Sequence, residues 1–215
     1  MRTAPRGIDV TTPGQLAEGQ LVLMEDFYTL QGEGAYAGAP AYFIRLGGCD
    51  VGCTWCDVKE SWDAAAHPTV AVSKVVARAL DSGARIAVIT GGEPTLHRLS
   101  ALTDALHTAG LRTHLETSGT QPLTGSWDWV TFSPKKFKAP LAEYYTAAHE
   151  LKVIVANQHD LTWAETHAAR IRPEAVLLLQ PEWDTPQAPD WIIHYAKAHP
   201  HWRLSLQTHK FLRIP

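Results

Sequence analysis

Cys49, Cys53 and Cys56 are the only cysteines in the 215-residue chain, and only three and then two residues separate them. Thiolates so spaced converge on one centre if the loop curls around it, and soft sulfur ligands select iron-sulfur clusters, zinc or copper(I). A disulfide would leave one thiol over. A Cys-x-x-Cys redox pair would leave the third unexplained. Zinc stays in competition, because three protein ligands and an open position describe catalytic zinc as well as a cluster with one bare iron.

Other groups that could do chemistry fall in loops. Leu30-Gln31-Gly32-Glu33-Gly34 is glycine-rich, and Gly32-x-Gly34-x-x-Ala37 matches the dinucleotide fingerprint. Gly38 and Pro40 forbid the helix which that fingerprint requires, leaving a plain turn or a loop whose backbone approaches a ligand closely. Arg45 ends a strand just before the cysteines. It reads as an ion-paired surface residue or, beside a site for a small acid, as a bidentate carboxylate clamp. Lys135, Lys136 and Lys138 form the only basic cluster. The eleven histidines are scattered without a His-x-x-x-His helix motif and read as surface or satisfied polar groups. Trp163, Trp183, Trp191 and Trp202 read as core or interface anchors.

Short apolar segments must carry these loops. Strands are predicted over 20–30, 41–46, 85–90, 112–116, 129–132, 151–155, 175–179 and 202–206. Helices are predicted over 73–82, 96–109, 141–149, 160–171 and 190–199, the first capped by Ser73 with Val75, Val76, Ala79 and Leu80 as its buried stripe. Residues 207–215 are left as a tail. Such alternation implies an α/β fold with a parallel sheet and right-handed crossovers. The Gly- and Pro-marked loops fall on the rim where barrel-type proteins place active sites, but an open, partial (β/α) barrel of about six parallel strands is all the segments supply. One domain is expected over 20–215, preceded by a mobile or loosely docked extension over 1–19.

Composition narrows the partners. Hydrophobic residues make up 45%, and 19 basic against 22 acidic residues give a net charge of −3. No electrostatic footprint for nucleic acid or an anionic membrane follows, and no apolar run approaches the ~20 residues that span a bilayer. The polar opening, with Pro5 and Pro13, lacks the apolar core of a signal peptide. The expectation is a globular, cytoplasmic protein in a reducing setting.

Several motifs taken together carry a resemblance. They are Leu30-Gln31-Gly32-Glu33-Gly34, Arg45, the cysteines with Trp55 before the last and Asp57 after it, Thr90-Gly91-Gly92-Glu93-Pro94, Glu116-Thr117-Ser118-Gly119, Ser133-Pro134-Lys135 and Gln180-Pro181-Glu182-Trp183. On these, residues from 24 onward resemble the 7-carboxy-7-deazaguanine synthases, radical S-adenosylmethionine (SAM) enzymes of queuosine and 7-deazapurine biosynthesis. The resemblance implies a 4Fe-4S cluster on Cys49, Cys53 and Cys56. Its fourth iron would chelate SAM, lined by Trp55, Cys56, Asp57, Gly92, Ser133, Pro134, Lys135, Gln180, Pro181, Glu182 and Trp183. Leu30, Gln31, Gly32, Arg45, Thr90, His209 and Pro215 would contact 6-carboxy-5,6,7,8-tetrahydropterin, with a catalytic part for Arg45, Thr90 and Glu116.

The implied reaction starts with a flavodoxin-like one-electron donor. The 5'-deoxyadenosyl radical takes a hydrogen atom from carbon 6, the ring contracts, ammonia leaves and SAM is regenerated. A homodimer fits the family. A glycyl-radical activase would share the cluster loop and Gly-Gly-Glu-Pro without needing Gln31, Arg45 or the final proline, and a metal or electron-carrier module would bind no SAM. One departure stands out. The family places a serine or threonine after Cys-x-x-Cys-Asp as a magnesium ligand, and Val58 has no oxygen for an ion that wants near-octahedral oxygen coordination. Lys59 or Glu60 could reshape the charge there instead. Weak dependence on added magnesium is expected.

Overall fold

The computed structural model describes residues 16–215, so most of the predicted N-terminal extension lies outside the described residues. Strand β1 (Gln20–Leu30) runs antiparallel to β2 (Pro40–Leu46) on one side and to the short β3 (Thr69–Ala71) on the other. Then follow α1 (Val72–Asp81), β4 (Ile86–Gly91), α2 (Ser100–Thr108), β5 (Arg112–Thr117), β6 (Trp129–Phe132) and α3 (Tyr144–Ala147). The chain continues through β7 (Glu150–Val155), α4 (His159–Ala168), β8 (Val176–Pro181), α5 (Ala188–Ala198), β9 (Trp202–Leu204) and α6 (Thr208–Leu212).

The nine strands among the described residues form one sheet in the order β3-β1-β2-β4-β5-β6-β7-β8-β9. From β2 through β9 every neighbouring pair is parallel. The end strands β3 and β9 do not pair, so the barrel is open. The parallel strands number seven rather than about six, because β2 pairs in parallel with β4 although its other neighbour is antiparallel.

Burial explains both the agreements and the departures. In β4, Ala87, Val88 and Ile89 are fully buried, as a parallel strand covered on both faces requires. On α1 the buried stripe is Val72, Val75, Val76 and Ala79, a helical i, i+3, i+4, i+7 series in which each buried valine contributes roughly 1.5–3 kcal/mol. Leu80 falls off that stripe and is exposed, and Ser73 lies inside the helix. The N-cap is Ala71, with no side-chain cap, and the Val72 N–H instead donates to the Gly19 carbonyl at 2.8 Å.

The predicted helix over 96–109 begins only at Ser100, after a 3-10 turn at Pro94–Leu96. That over 141–149 shrinks to one turn, because the His149 N–H already donates to Val130 in the sheet. The tail carries α6, too short to show periodicity. His97 and His167 are buried as polar groups with a partner each, the Gly47 carbonyl and the Tyr145 hydroxyl, whereas His114 is buried with its Nε2 unpartnered among the described residues and fits neither reading. Among the described residues no helix is long and apolar enough to cross a membrane.

Candidate active site

The C-terminal ends of the parallel strands deliver most of the candidate groups to one rim, while Leu30, Gln31 and Gly32 follow the antiparallel β1, whose end pairs with the start of β2. After β2, the Gly48 N–H donates to the Ser61 carbonyl at 2.7 Å and the Cys49 N–H to that of Trp62 at 3.1 Å, closing the cysteine loop on itself. Asp50 ties that loop to the segments after β5 and β6, accepting from Thr120 Oγ1 at 3.1 Å, Gln121 Nε2 at 2.6 Å and Lys138 Nζ. Burial raises the Asp50 carboxyl, but these donors outweigh it and hold it below the usual carboxylate range.

Cys49 and Cys53 are buried, Cys56 is half-buried and none is in a disulfide. Burial pushes both deeper thiols up, Cys53 to about 11. A bound metal would have to displace those protons.

The Gly91-Gly92-Glu93-Pro94 turn at the end of β4 is built for close approach. A Cβ on Gly92 would stand 2.3 Å from the Gly48 carbonyl oxygen and 2.7 Å from Cys49 Cβ, so any side chain there would displace the cysteine loop. The Glu93 carboxylate is 1% exposed. It accepts from Thr95 N and Oγ1, Thr117 Oγ1, and Ser118 N and Oγ, which binds the ends of β4 and β5 into one unit.

Two adjoining cavities share part of their walls here. The larger, of about 350 Å³, is lined by all three cysteines, Trp55, Asp57, Gly92, Ser133, Lys135, Gln180, Pro181, Glu182 and Trp183. Of the residues expected to line SAM, only Pro134 is not in its wall. Lys135 Nζ lies 5.8 Å over the Trp55 ring and donates to the Ser133 carbonyl at 2.7 Å. Burial pushes its ammonium down. The smaller, of about 130 Å³, is lined by Leu30, Gln31, Gly32, His209 and Pro215. Arg45, Thr90, Glu116, Asp57 and Val58 line both. Arg45 and Thr90 stand side by side in the β2–β4 register, and Glu25 takes the Nε edge of Arg45 at 2.7 Å.

Several site groups escaped the sequence reading. Lys152 on β7, with a side chain only 5% exposed, reaches Glu33 Oε2 at 2.6 Å and Glu116 Oε2 at 2.8 Å. Gln31 Nε2 donates to Glu116 Oε1 at 3.2 Å. Burial outweighs the shared ammonium at Glu116, whose carboxyl is raised. At Glu33 burial is outweighed by Lys152, Gln180 and Gln207, and the carboxyl falls to about 2. A lone lysine in the apolar run Leu151-Lys152-Val153-Ile154 was the available signal, since a buried ammonium must meet carboxylates.

The C-terminal segment also takes part. Gln207 Nε2 bridges Glu33 at 3.0 Å and Asp57 at 3.1 Å, Lys210 Nζ reaches Asp57 at 2.7 Å, and the Thr208 N–H donates to the Gly32 carbonyl at 2.8 Å. Burial pushes the His209 imidazole down.

The donor set fits an iron-sulfur cluster that binds SAM. Three unbridged thiols face one cavity, a cradle that a Cβ would fill lies against Cys49, and hydroxyl, amide and ammonium groups for an amino acid cofactor line the rest. Among the described residues no three His, Cys, Asp or Glu side chains are gathered for a single metal ion. A cube takes each thiolate at a separate corner, so that spread does not conflict with it.

Comparison with known proteins points the same way. Residues 43–133 match the Radical SAM superfamily. The chain is 53% identical to the 7-carboxy-7-deazaguanine synthase of Flavobacterium psychrophilum, over 91% of this chain and 93% of that protein. It is 51% identical to that of Synechocystis sp., over 89% and 92%. The crystal structure of QueE from Escherichia coli superposes with a TM-score of 0.79 at 34% identity, covering 89% of this chain and 96% of that one.

Proposed function

The chain belongs to the 7-carboxy-7-deazaguanine synthase family, and from that premise we infer a radical SAM lyase that contracts 6-carboxy-5,6,7,8-tetrahydropterin to 7-carboxy-7-deazaguanine with loss of ammonia. The observation that carries this reading is the pair of cavities, one faced by three cysteines, the other by the Gln31 loop and Pro215, with Arg45, Thr90 and Glu116 common to both. A pterin in the smaller cavity presents its carboxylate edge to Arg45 and its reacting carbon toward the larger one.

Cys49, Cys53 and Cys56 would hold the cluster, which together with SAM supplies the one-electron chemistry that abstracts a hydrogen atom. The chain's own residues orient and enclose. Arg45 clamps the substrate carboxylate while Glu25 steadies its Nε edge. Glu116 and Gln31 face the pterin, and Lys152 holds the Glu116 and Glu33 carboxylates in place. The α6 segment keeps water out. Orientation of this kind is worth up to ~7–11 kcal/mol in favourable cases, so misplacing Arg45 lowers turnover as well as binding.

In this reading activity depends less on added magnesium than it does in relatives. Val58 lines both cavities and offers no oxygen, while the neighbouring Asp57 carboxylate is already engaged by Lys210 and Gln207. A strict loss of activity on chelation, restored by magnesium alone, would overturn that point. A flavodoxin-like donor and a homodimer complete the reading. The dimer is supported by the exposed Trp183, Phe211 and Leu212 and is tested by sedimentation of the reconstituted protein. The decisive experiment is an anaerobic assay with SAM, a reductant and the carboxytetrahydropterin, read by product mass. Formation of 5'-deoxyadenosine with the pterin returned unchanged would reject the assignment.

A further inference from the structure

Each glycine of the Gly32-Glu33-Gly34 turn is a seat for a side chain from elsewhere in the fold. A Cβ on Gly32 would stand 2.1 Å from His209 Nδ1, and one on Gly34 would stand 2.5 Å from Glu150 Oε1. His209 lines the smaller cavity, whereas Glu150 lines neither and is 1% exposed. A carboxyl that deep carries a desolvation cost that an apolar residue on β7 would avoid.

Its contacts are to the turn. The Ala35 N–H donates to Glu150 Oε2 at 2.9 Å, and the preceding Gly34 N–H donates to Ser205 Oγ at 3.0 Å, which in turn donates to Gln180 Oε1 at 2.9 Å. Two successive backbone donors of the Gly34–Tyr36 turn are therefore held from the sheet side. The ring of Tyr36 is packed edge-on against His114 at 4.4 Å and Trp129 at 5.0 Å. On the cavity side the same loop carries Gln31, whose Oε1 accepts from the Glu33 N–H at 3.1 Å.

We propose that Glu150 is a positioning residue for the substrate loop: by holding Ala35 from beneath the cavity it sets how Gln31 and Gly32 meet the pterin, and so sets affinity for a ligand it does not touch. This rests on the reading of the smaller cavity as the pterin seat. Burial, with Glu116 nearby, pushes the Glu150 carboxyl up to about 7, so the neutral amide of glutamine is a close stand-in that keeps an acceptor for Ala35. Methionine keeps the volume and loses the acceptor.

The test is steady-state kinetics on reconstituted enzyme at matched iron content, with substrate-free SAM cleavage measured alongside. Loss of one buried acceptor predicts that E150M raises the KM for the pterin about tenfold while SAM cleavage stays within about twofold, and that E150Q stays within about threefold of the parent KM. An unchanged KM in E150M, an E150Q as impaired as E150M, or a matching loss of substrate-free cleavage in both would overturn the role. If E150M does not fold, E150D, too short to reach Ala35, makes the same comparison against E150Q. A parent enzyme that cleaves SAM yet never consumes the pterin would instead remove the functional reading beneath the proposal.

Discussion

Replacing Lys152 with methionine should turn a fold that loses stability in acid into one that gains it there. In the parent, burial alone would raise Glu33, but Lys152 with Gln180 and Gln207 brings its carboxyl from 4.5 to about 2. A shift of that size amounts to about 3 kcal/mol of stability at neutral pH. Because the folded value is depressed, that contribution is present above the ordinary value and is lost as pH falls toward 2. Without the ammonium, burial at Glu33 is opposed only by Gln180 and Gln207, and it further raises Glu116, already above its ordinary value in the parent. A raised carboxyl reverses the sign, giving stability below the ordinary value that is lost as pH rises through the raised one. The gap between parent and variant is therefore widest at neutral and alkaline pH, narrows as pH falls toward 5, and closes only as pH approaches 2, where the parent's Glu33 contribution is itself lost. For a chain of this size ~3 kcal/mol corresponds to roughly 6–12 °C in Tm. Thermal unfolding of both proteins at matched iron content, from pH 5 to 8, reads it directly. A variant within about 2 °C of the parent at neutral pH, or a gap that grows on acidification, would refute the reasoning.

Other perturbations separate the two cavities. Serine at Cys49, Cys53 or Cys56 should abolish the broad visible absorbance of the reconstituted protein and all SAM cleavage, while circular dichroism stays that of the parent. Gly92→Ala places a methyl 2.3 Å from the Gly48 carbonyl oxygen and should cost about 1–3 kcal/mol with a clear loss of SAM cleavage, checked by denaturant unfolding and deoxyadenosine yield. Arg45→Met should raise the KM for the pterin about 10- to 100-fold and lower kcat, yet spare substrate-free cleavage. A tag appended to Pro215, which lines the smaller cavity, should weaken pterin binding by titration without changing iron content, and unchanged affinity would count against the tail's role.

How much of this was legible beforehand depended on whether a residue's role is local. The cysteine spacing, the Gly-Gly-Glu-Pro turn and the alternation of apolar strands with helices are written in short stretches, because a metal loop, a close backbone approach and a buried parallel strand each impose their own residue types. Hence the open α/β barrel and its rim could be read directly, apart from small elements such as β3 and α6, whose few residues carry no period. The single-turn α3 was misjudged for a similar reason, since the sheet claims His149 and Glu150 before a helix can extend.

The charged interior behaved differently. Glu33, Glu116 and the β7 pair Glu150 and Lys152 lie far apart along the chain, and nothing in any one segment states which of them meet. Parallel register and the alternation of side chains along a strand bring Glu116 of β5 and Lys152 of β7 onto the same inward face, and the loop after β1 adds Glu33 as the second carboxylate. The amino acid order by itself thus determined the ligand loop and the layered fold, while the tertiary structure decided which buried charges share a partner, because burial makes an ion's cost depend on neighbours supplied by other strands.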